Sequence, residues 1–178
     1  MADPPTLTDG AIVLDAFTED DVVAHVAGED DEHARRFGWY PERSTEETAR
    51  VAIEDWRRDW ETDGPTRAFA ARRSEGRVLV GGCQLRLRSP DIAQLSYWVF
   101  PEHRRRGYAS RIVRIVCDYG FDDLGVQRIE ALVEPDNDAS HGVVRHVGFV
   151  REGRLRKRAR FGDELRDMVM YSYLPEDR

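Results

Sequence analysis

The chain is 178 residues and 20.5 kDa, 40% apolar and 34% charged, with a net charge of −7. That balance fits one soluble globular domain whose core needs no disulfide or metal staple, and it argues against disordered, membrane-spanning and simple nucleic-acid-binding chains. The charge is unevenly placed: residues 1–63 carry 18 acidic and 6 basic side chains, residues 64–178 carry 16 and 21, and 26 of the 27 basic residues are arginine, Lys157 being the exception.

Residues 1–9 read as a flexible tail. Met1–Gly10 has neither the basic nor the apolar region of a signal peptide, so a cytoplasmic protein is expected. Ala11–Phe17 reads as a strand, and Thr18 opens a helix with Asp21 in a capping-box position. Ser44 and Glu47 predict a second capping box. Behind it Ala49, Ile53, Trp56 and Trp60 form one apolar stripe on a helix running to about Thr62, where Asp63-Gly64-Pro65 stops it. Strands follow over Arg67–Arg73, Arg77–Arg88 and Ile92–Phe100, separated by turns at Glu75-Gly76 and Ser89-Pro90-Asp91.

A helix is expected from about Gly107 to Phe121, then a strand over Gln127–Glu134 and a short helix from Asp138 to Val147, ended by Gly148. Two last strands, Phe149–Phe161 and Leu165–Leu174, turn at Gly162-Asp163. The order β-α-α-β-β-β-α-β-α-β-β describes an α/β protein with a mixed sheet and helices on its faces. Cys83 and Cys117 form no CxxC, and the five histidines form no HExxH or His/Cys cluster, so two buried free thiols and no metal are expected.

Chemistry concentrates in Leu95–Phe121. A strand ends there, an arginine-rich loop follows, and Gly107 opens a strongly apolar helix. Such a helix start presents unpaired backbone N–H groups and the positive dipole end, which suit a phosphate. Gly107 permits close approach, Ala109 and Ser110 keep the first turn open, and Arg104, Arg105 and Arg106 add charge. The plainer alternative is a solvated basic loop capping a core helix.

Arg104-x-x-Gly107-x-Ala109 resembles the Q/R-x-x-G-x-G/A pyrophosphate motif of the GCN5-related N-acetyltransferases (GNAT). The flanking residues resemble the RimJ/RimL-type branch: Trp39 and Pro41, Gly81-Gly82, Tyr97-Trp98-Val99 before Pro101, Arg128-Ile129-Glu130-Ala131, Asn137-Asp138-Ala139-Ser140, Gly148-Phe149, and Glu152-Gly153-x-Leu155-Arg156. The resemblance covers nearly the whole chain and shares its element order. It implies a GNAT fold with a splayed central sheet that holds acetyl-CoA, and an acyltransferase activity. Trp98, Val99 and Phe100 would hold the pantetheine through backbone groups, and Arg104, Arg105, Arg106, Gly107, Tyr108, Ala109 and Ser110 would wrap the pyrophosphate. Asn137 would contact the pantetheine arm and Ser140 would lie near the departing sulfur. Read from the residues alone, the alternatives are Asn137 or Asp138 as a helix N-cap and Ser140 as a first-turn filler.

Direct attack by an amine needs a base, an oxyanion donor and a proton for the thiolate. The backbone N–H near Val99 or Phe100 is the expected donor, and Ser140 or Tyr97 the acid. Glu130, Glu134, Glu102 and His103 are the candidate bases. Relatives often carry a glutamate just before the Tyr-Trp motif where this chain has Gln94, which leaves a non-catalytic acetyl-CoA-binding module as the alternative. In that family the first two helices and the last hairpin bound the acceptor cleft. Glu19, Asp20, Asp21, Glu46, Glu47, Glu54 and Asp55 fall there, and Trp39 and Tyr40 would line it. Trp56 fits the core stripe better. A cationic primary amine (a protein N-terminus, polyamine or aminoglycoside) suits such a field, although the acidic excess equally suits salt adaptation. Arg154, Arg156, Arg158 and Arg160 should share one strand face, paired with Glu164 and Asp167. Neither membrane nor nucleic acid is an expected partner, and a monomer or homodimer fits the size.

Overall fold

In the computed structural model, which describes residues 4–37 and 43–178, the strand-like segments join in one eight-stranded mixed sheet. In chain order the elements are β1 (Leu7–Thr8), β2 (Ile12–Asp15), α1 (Asp21–Gly28), α2 (Asp31–Phe37), α3 (Glu46–Glu61), β3 (Thr66–Arg73), β4 (Leu79–Ser89) and β5 (Ile92–Val99). A 3-10 turn at Pro101–His103 leads to α4 (Tyr108–Asp122), β6 (Arg128–Val133), α5 (Asp138–Val147), β7 (Val150–Phe161) and β8 (Glu164–Tyr173). The sheet order is β1-β2-β3-β4-β5-β6-β8-β7, antiparallel except for β5 beside β6. The crossover through α4 makes that one parallel pair. The next crossover, through α5, does not make another, because β8 inserts between β6 and β7.

Alternation along the strands builds two cores. On one face Ile112, Val113 and Val116 of α4 meet Leu85, Leu95 and Ile129 of the sheet. On the other, Phe17, Val22 of α1 and Ile53 of α3 close over Trp98 and Phe100. Each such side chain contributes about 1.5–3 kcal/mol on burial. The stripe on α3 is seen as expected at Ala49, Ile53 and Trp60, whereas Trp56 is only partly buried.

Several boundaries differ from the sequence reading, each for a local reason. The sheet begins inside the expected tail: Leu7 and Thr8 pair with Leu14 and Val13, and the Asp9 carboxylate accepts from the Ala11 and Ile12 N–H groups. The first helix starts at Asp21 and not at Thr18, but the Asp21 carboxylate still reaches back to the Thr18 N–H at 2.8 Å. The capping box of α3 sits one residue later than Ser44/Glu47: Thr45 Oγ1 accepts from the Thr48 N–H and Thr48 Oγ1 from the Thr45 N–H. Ser44 is free to bind Glu29 instead. Helix α2 was not expected at all. The four arginines of β7 do not form one even face, because the ladder slips between Leu155 and Ala159, where Lys157 has φ 51°. Arg154 pairs with Asp167 at 2.8 Å, while Glu164 pairs with Arg166 of its own strand.

The charge division has a structural counterpart. Acidic residues of the first third meet arginines of the basic remainder: Asp15 and Asp21 hold Arg72, Asp30 and Glu32 hold Arg104, and Asp9 holds Arg111. Asp21 grips both Arg72 terminal nitrogens, at 2.6 and 2.7 Å, and so ties α1 to β3. Among the described residues no helix is long and apolar enough to cross a membrane, no group of three metal-ligating side chains occurs, and Cys83 and Cys117 are buried free thiols.

Candidate functional site

Strands β5 and β6 pair from Ile92/Arg128 to Leu95/Ala131 and then part. Beyond that point β5 keeps β4 as its partner as far as Val99, and β6 keeps β8 as far as Val133. The result is a V-shaped gap in the sheet. Over its mouth stands the start of α4, with Gly107 as N-cap at φ 77°. No side chain caps this helix and no acidic residue lies in its first turn, so the first N–H groups remain available. A Cβ at Gly107 would meet nothing within 4 Å. The gap widens into a cleft of about 740 Å³, lined by Tyr97, Trp98, Val99, Arg104, Arg105, Gly107, Tyr108, Ala109, Ser110, Asn137 and Ser140, and by Glu32, His33, Arg36 and His103.

Most of the expected residues therefore converge, with exceptions. Phe100 faces away: its ring is 3% exposed in the second core, and its N–H is spent on Val80 O at 2.9 Å. N–H groups alternate sides along a strand, so the Val99 N–H points to the gap edge. Arg104 lines the cleft but is engaged, its Nε donating to Val99 O at 3.1 Å and its terminal nitrogens to Asp30. Arg106 turns toward a neighbouring groove lined also by Arg111 and Arg114. Among the described residues no acidic side chain forms an ion pair with Arg105 or Arg106. Trp39 and Tyr40 lie outside the described residues.

Asn137 is the N-cap of α5, its Oδ1 accepting from the Ser140 N–H at 3.1 Å, and it lines the cleft as well. Ser140 Oγ lies 2.7 Å from Tyr97 Oη. Burial pushes the Tyr97 hydroxyl up to about 12, so it stays protonated.

The expected bases fare differently. Glu134 is held by Arg36 at 3.1 Å and Arg166 at 3.5 Å, and Glu130 by Arg128 at 2.8 Å. Glu102 is exposed on the 3-10 turn. His103 lines the cleft, and burial, then Arg106, press its imidazole down. Gln94 accepts from Arg88 at 3.0 Å and lines neither the cleft nor the cavity beside it.

That second cavity, of about 780 Å³, lies between α1, α3 and the sheet, with Trp56, Trp98, His25 and His33 as its inner wall and Arg43, Arg58, Arg86, Asp55 and Asp59 among its outer lining. Trp98 and His33 line both spaces. Asp55 is bound by Arg58 at 2.6 Å, and Asp59 accepts from the Thr66 N–H. The sequence reading missed His25, Glu29 and His33, whose four-residue spacing is visible in the chain.

The residues present suit acetyl-CoA. The parted strands leave a backbone edge for an extended arm, the glycine-led helix start leaves room for a phosphate against free N–H groups, and Arg105 is an uncommitted cation beside it.

The sequence matches the family described as "Acetyltransferase (GNAT) domain" over residues 11–150. It is 31% identical over 121 residues to "Uncharacterized N-acetyltransferase p20" of Bacillus licheniformis, covering 67% of this chain and 68% of that protein. It is 45% identical over 65 residues to "Uncharacterized N-acetyltransferase YoaA" of Bacillus subtilis (strain 168), covering 36% of this chain and 37% of that one, so the shared segment spans little more than a third of YoaA. Mycobacterium smegmatis RimJ in complex with CoA-disulfide superposes with a TM-score of 0.81 over 98% of this chain and 89% of that one, at 20% identity, a likeness of fold.

Proposed function

The chain belongs to the GNAT acetyltransferase family, and on that premise we propose that it transfers the acetyl group of acetyl-CoA to a primary amine by direct attack. The observation that carries this reading is the parting of β5 and β6 after Leu95/Ala131, beneath a glycine-led helix start. Acetyl-CoA, when bound, supplies an acetyl group activated as a thioester.

Each part of the chain has a task in this reading. The gap edge of β5 aligns the pantetheine arm, and the N–H groups of the first turn of α4, with Arg105, hold the pyrophosphate. The Val99 N–H is the donor for the carbonyl oxygen as negative charge develops on it. Ser140 Oγ, hydrogen-bonded to the protonated Tyr97 hydroxyl, returns a proton to the sulfur. The second cavity holds the acceptor, because its wall reaches the cleft at Trp98 and His33. Positioning of the two reactants there contributes several kcal/mol of the barrier reduction. The missing carboxylate at Gln94 no longer argues for a binding module, since that side chain lies outside both spaces.

Release of free thiol from acetyl-CoA in the presence of N-terminal peptides, polyamines and aminoglycosides tests the proposal. Turnover with a member of that panel supports it, and CoA binding with no turnover on any amine overturns it.

A further inference from the structure

Three buried titratable side chains that no expected role uses meet where the cleft joins the second cavity. His25 near the end of α1, Glu29 after it and His33 on α2 recur every four residues. The chain breaks from helix at Glu29 and Asp30, yet both imidazole Nε2 atoms approach the same oxygen, Glu29 Oε1, at 3.4 and 3.6 Å. Ser44 fixes the carboxylate from the start of α3, its hydroxyl donating to Oε1 at 2.9 Å and its N–H to Oε2 at 3.1 Å. The three residues are 5, 4 and 5% exposed. Among the described residues Nδ1 of His25 has no hydrogen-bond partner although it is buried, so the cluster retains unused proton-binding capacity.

We propose that the His25–Glu29–His33 cluster accepts the proton of the incoming amine, with His33 as the group that meets the substrate. The proposal rests on the acetyl-transfer reading above. The N–C bond forms as the C–S bond breaks. The nitrogen gives its proton to the His33 imidazole, which releases it to solvent, and the sulfur takes one from Ser140, whose proton solvent restores. Glu29 stabilises the imidazolium, and His25 stands behind it as a second proton site.

The electrostatics allow this. Glu29, Asp30, His25 and Arg104 are among the charged or titratable groups that act on His33, and Arg43 donates to the backbone carbonyl of Glu29 beside it. Burial outweighs the carboxylates and presses His33 down to about 4, so its ring is neutral near neutral pH. Burial opposes the charge of Glu29, but the hydrogen bonds from His25 and Ser44 prevail and hold its carboxyl below the ordinary range. The carboxylates expected from the sequence, Glu130 and Glu134, are already gripped by arginine.

The test uses the full chain, acetyl-CoA and whichever panel amine the wild type acetylates. His33→Gln should lower kcat by about 100-fold while the KM for acetyl-CoA and the thermal shift given by CoA stay within about threefold of wild type. Added imidazole should partly restore His33→Ala. In the wild type, the acid limb of the kcat/KM profile should coincide with the His33 titration followed by 15N-histidine NMR in the CoA complex, a comparison that needs no variant to fold. Wild-type turnover with unchanged kcat in His33→Gln, or an acid limb displaced from the His33 titration, overturns the proposal and leaves the acetyl-transfer reading standing. Failure of the wild type on every amine overturns both.

Discussion

Tyr97 Oη and Ser140 Oγ stand 2.7 Å apart and link the end of β5 to the first turn of α5 beside the cleft. The two hydroxyls are hydrogen-bonded, and burial holds the phenol in its protonated form. Ser140→Ala should lower kcat by about 100-fold and Tyr97→Phe by about 10-fold, with CoA affinity unchanged in both. The double variant should be little worse than Ser140→Ala, since groups acting in series do not add. Steady-state kinetics beside calorimetric CoA titration checks this. A purely structural bond would move the melting temperature and leave kcat alone.

Gly107 and Gly81 are needed for different reasons. Gly107 has φ 77° and open space around it, so Gly107→Ala costs about 1–2 kcal/mol of backbone strain and places a methyl where, in the proposed reading, a phosphate approaches. CoA affinity should fall by about 10-fold. Gly153, also in open space but without a positive φ, supplies the control: Gly153→Ala should change stability by less than about 0.5 kcal/mol.

At Gly81 the obstacle is the neighbouring strand. A Cβ there would strike the Trp98 carbonyl and approach Val99 Cα at 2.9 Å, and one at Gly82 would enter the Trp98 ring at 2.5 Å. Gly81→Ala should force β4 from β5 at the edge of the gap and cost about 3 kcal/mol or more, the upper range for overpacking. Urea midpoints measure it, and an unchanged midpoint would show that the strands can separate freely.

Much of this arrangement was legible in the chain because its signals are local. Helix α5 was expected over Asp138–Val147 and is found there, since Asn137 before it and Gly148 after it fix both ends. The glycine-led start of α4 was legible because Gly107 and its neighbours lie within one turn. What stayed hidden depends on long-range pairing. Helix α2 is short and polar, and it is held by Asp30, which caps it through the His33 N–H and also grips Arg104 from far along the chain. Phe100 and Arg104 read as cofactor contacts in sequence, but the N–H of one is spent on Val80 and the charge of the other on Asp30. Val80 and Asp30 become neighbours only on folding.

That sharing-out of the arginines separates three adjacent residues by experiment. Arg104 braces α2 against Val99 O, so Arg104→Ala should lower stability by about 1.5–3 kcal/mol, the range for hydrogen bonds to charged groups. Arg105 and Arg106 brace nothing comparable. Arg105→Ala and Arg106→Ala should both leave the urea midpoint near wild type, but only Arg105→Ala, whose side chain lines the cleft, should weaken CoA markedly and flatten the salt dependence of its binding. The reverse pattern, with stability lost at Arg105 and none at Arg104, would place the phosphate-binding charge on Arg104.

Stability should fall with acid in two stages, and the first belongs to His33. Its folded-state value is pressed from 6.5 down to about 4, chiefly by burial, so between those values the unfolded chain holds the proton and the folded chain does not. The unfolded state therefore binds more protons, and stability rises with pH across that window. It is complete above about 6.5 and lost progressively as the pH falls toward 4. Asp21, Asp30 and Glu29 are lowered by their partners, and their contribution is present above the ordinary carboxylate range and is lost below it, as a second stage. Urea midpoints taken at intervals from pH 7.5 to 4.5 should decline in the wild type and decline less steeply in His33→Gln, which cannot take up that proton, the remaining slope belonging to His103, whose imidazole is also pressed down. An equal decline in both would assign the first stage to another group.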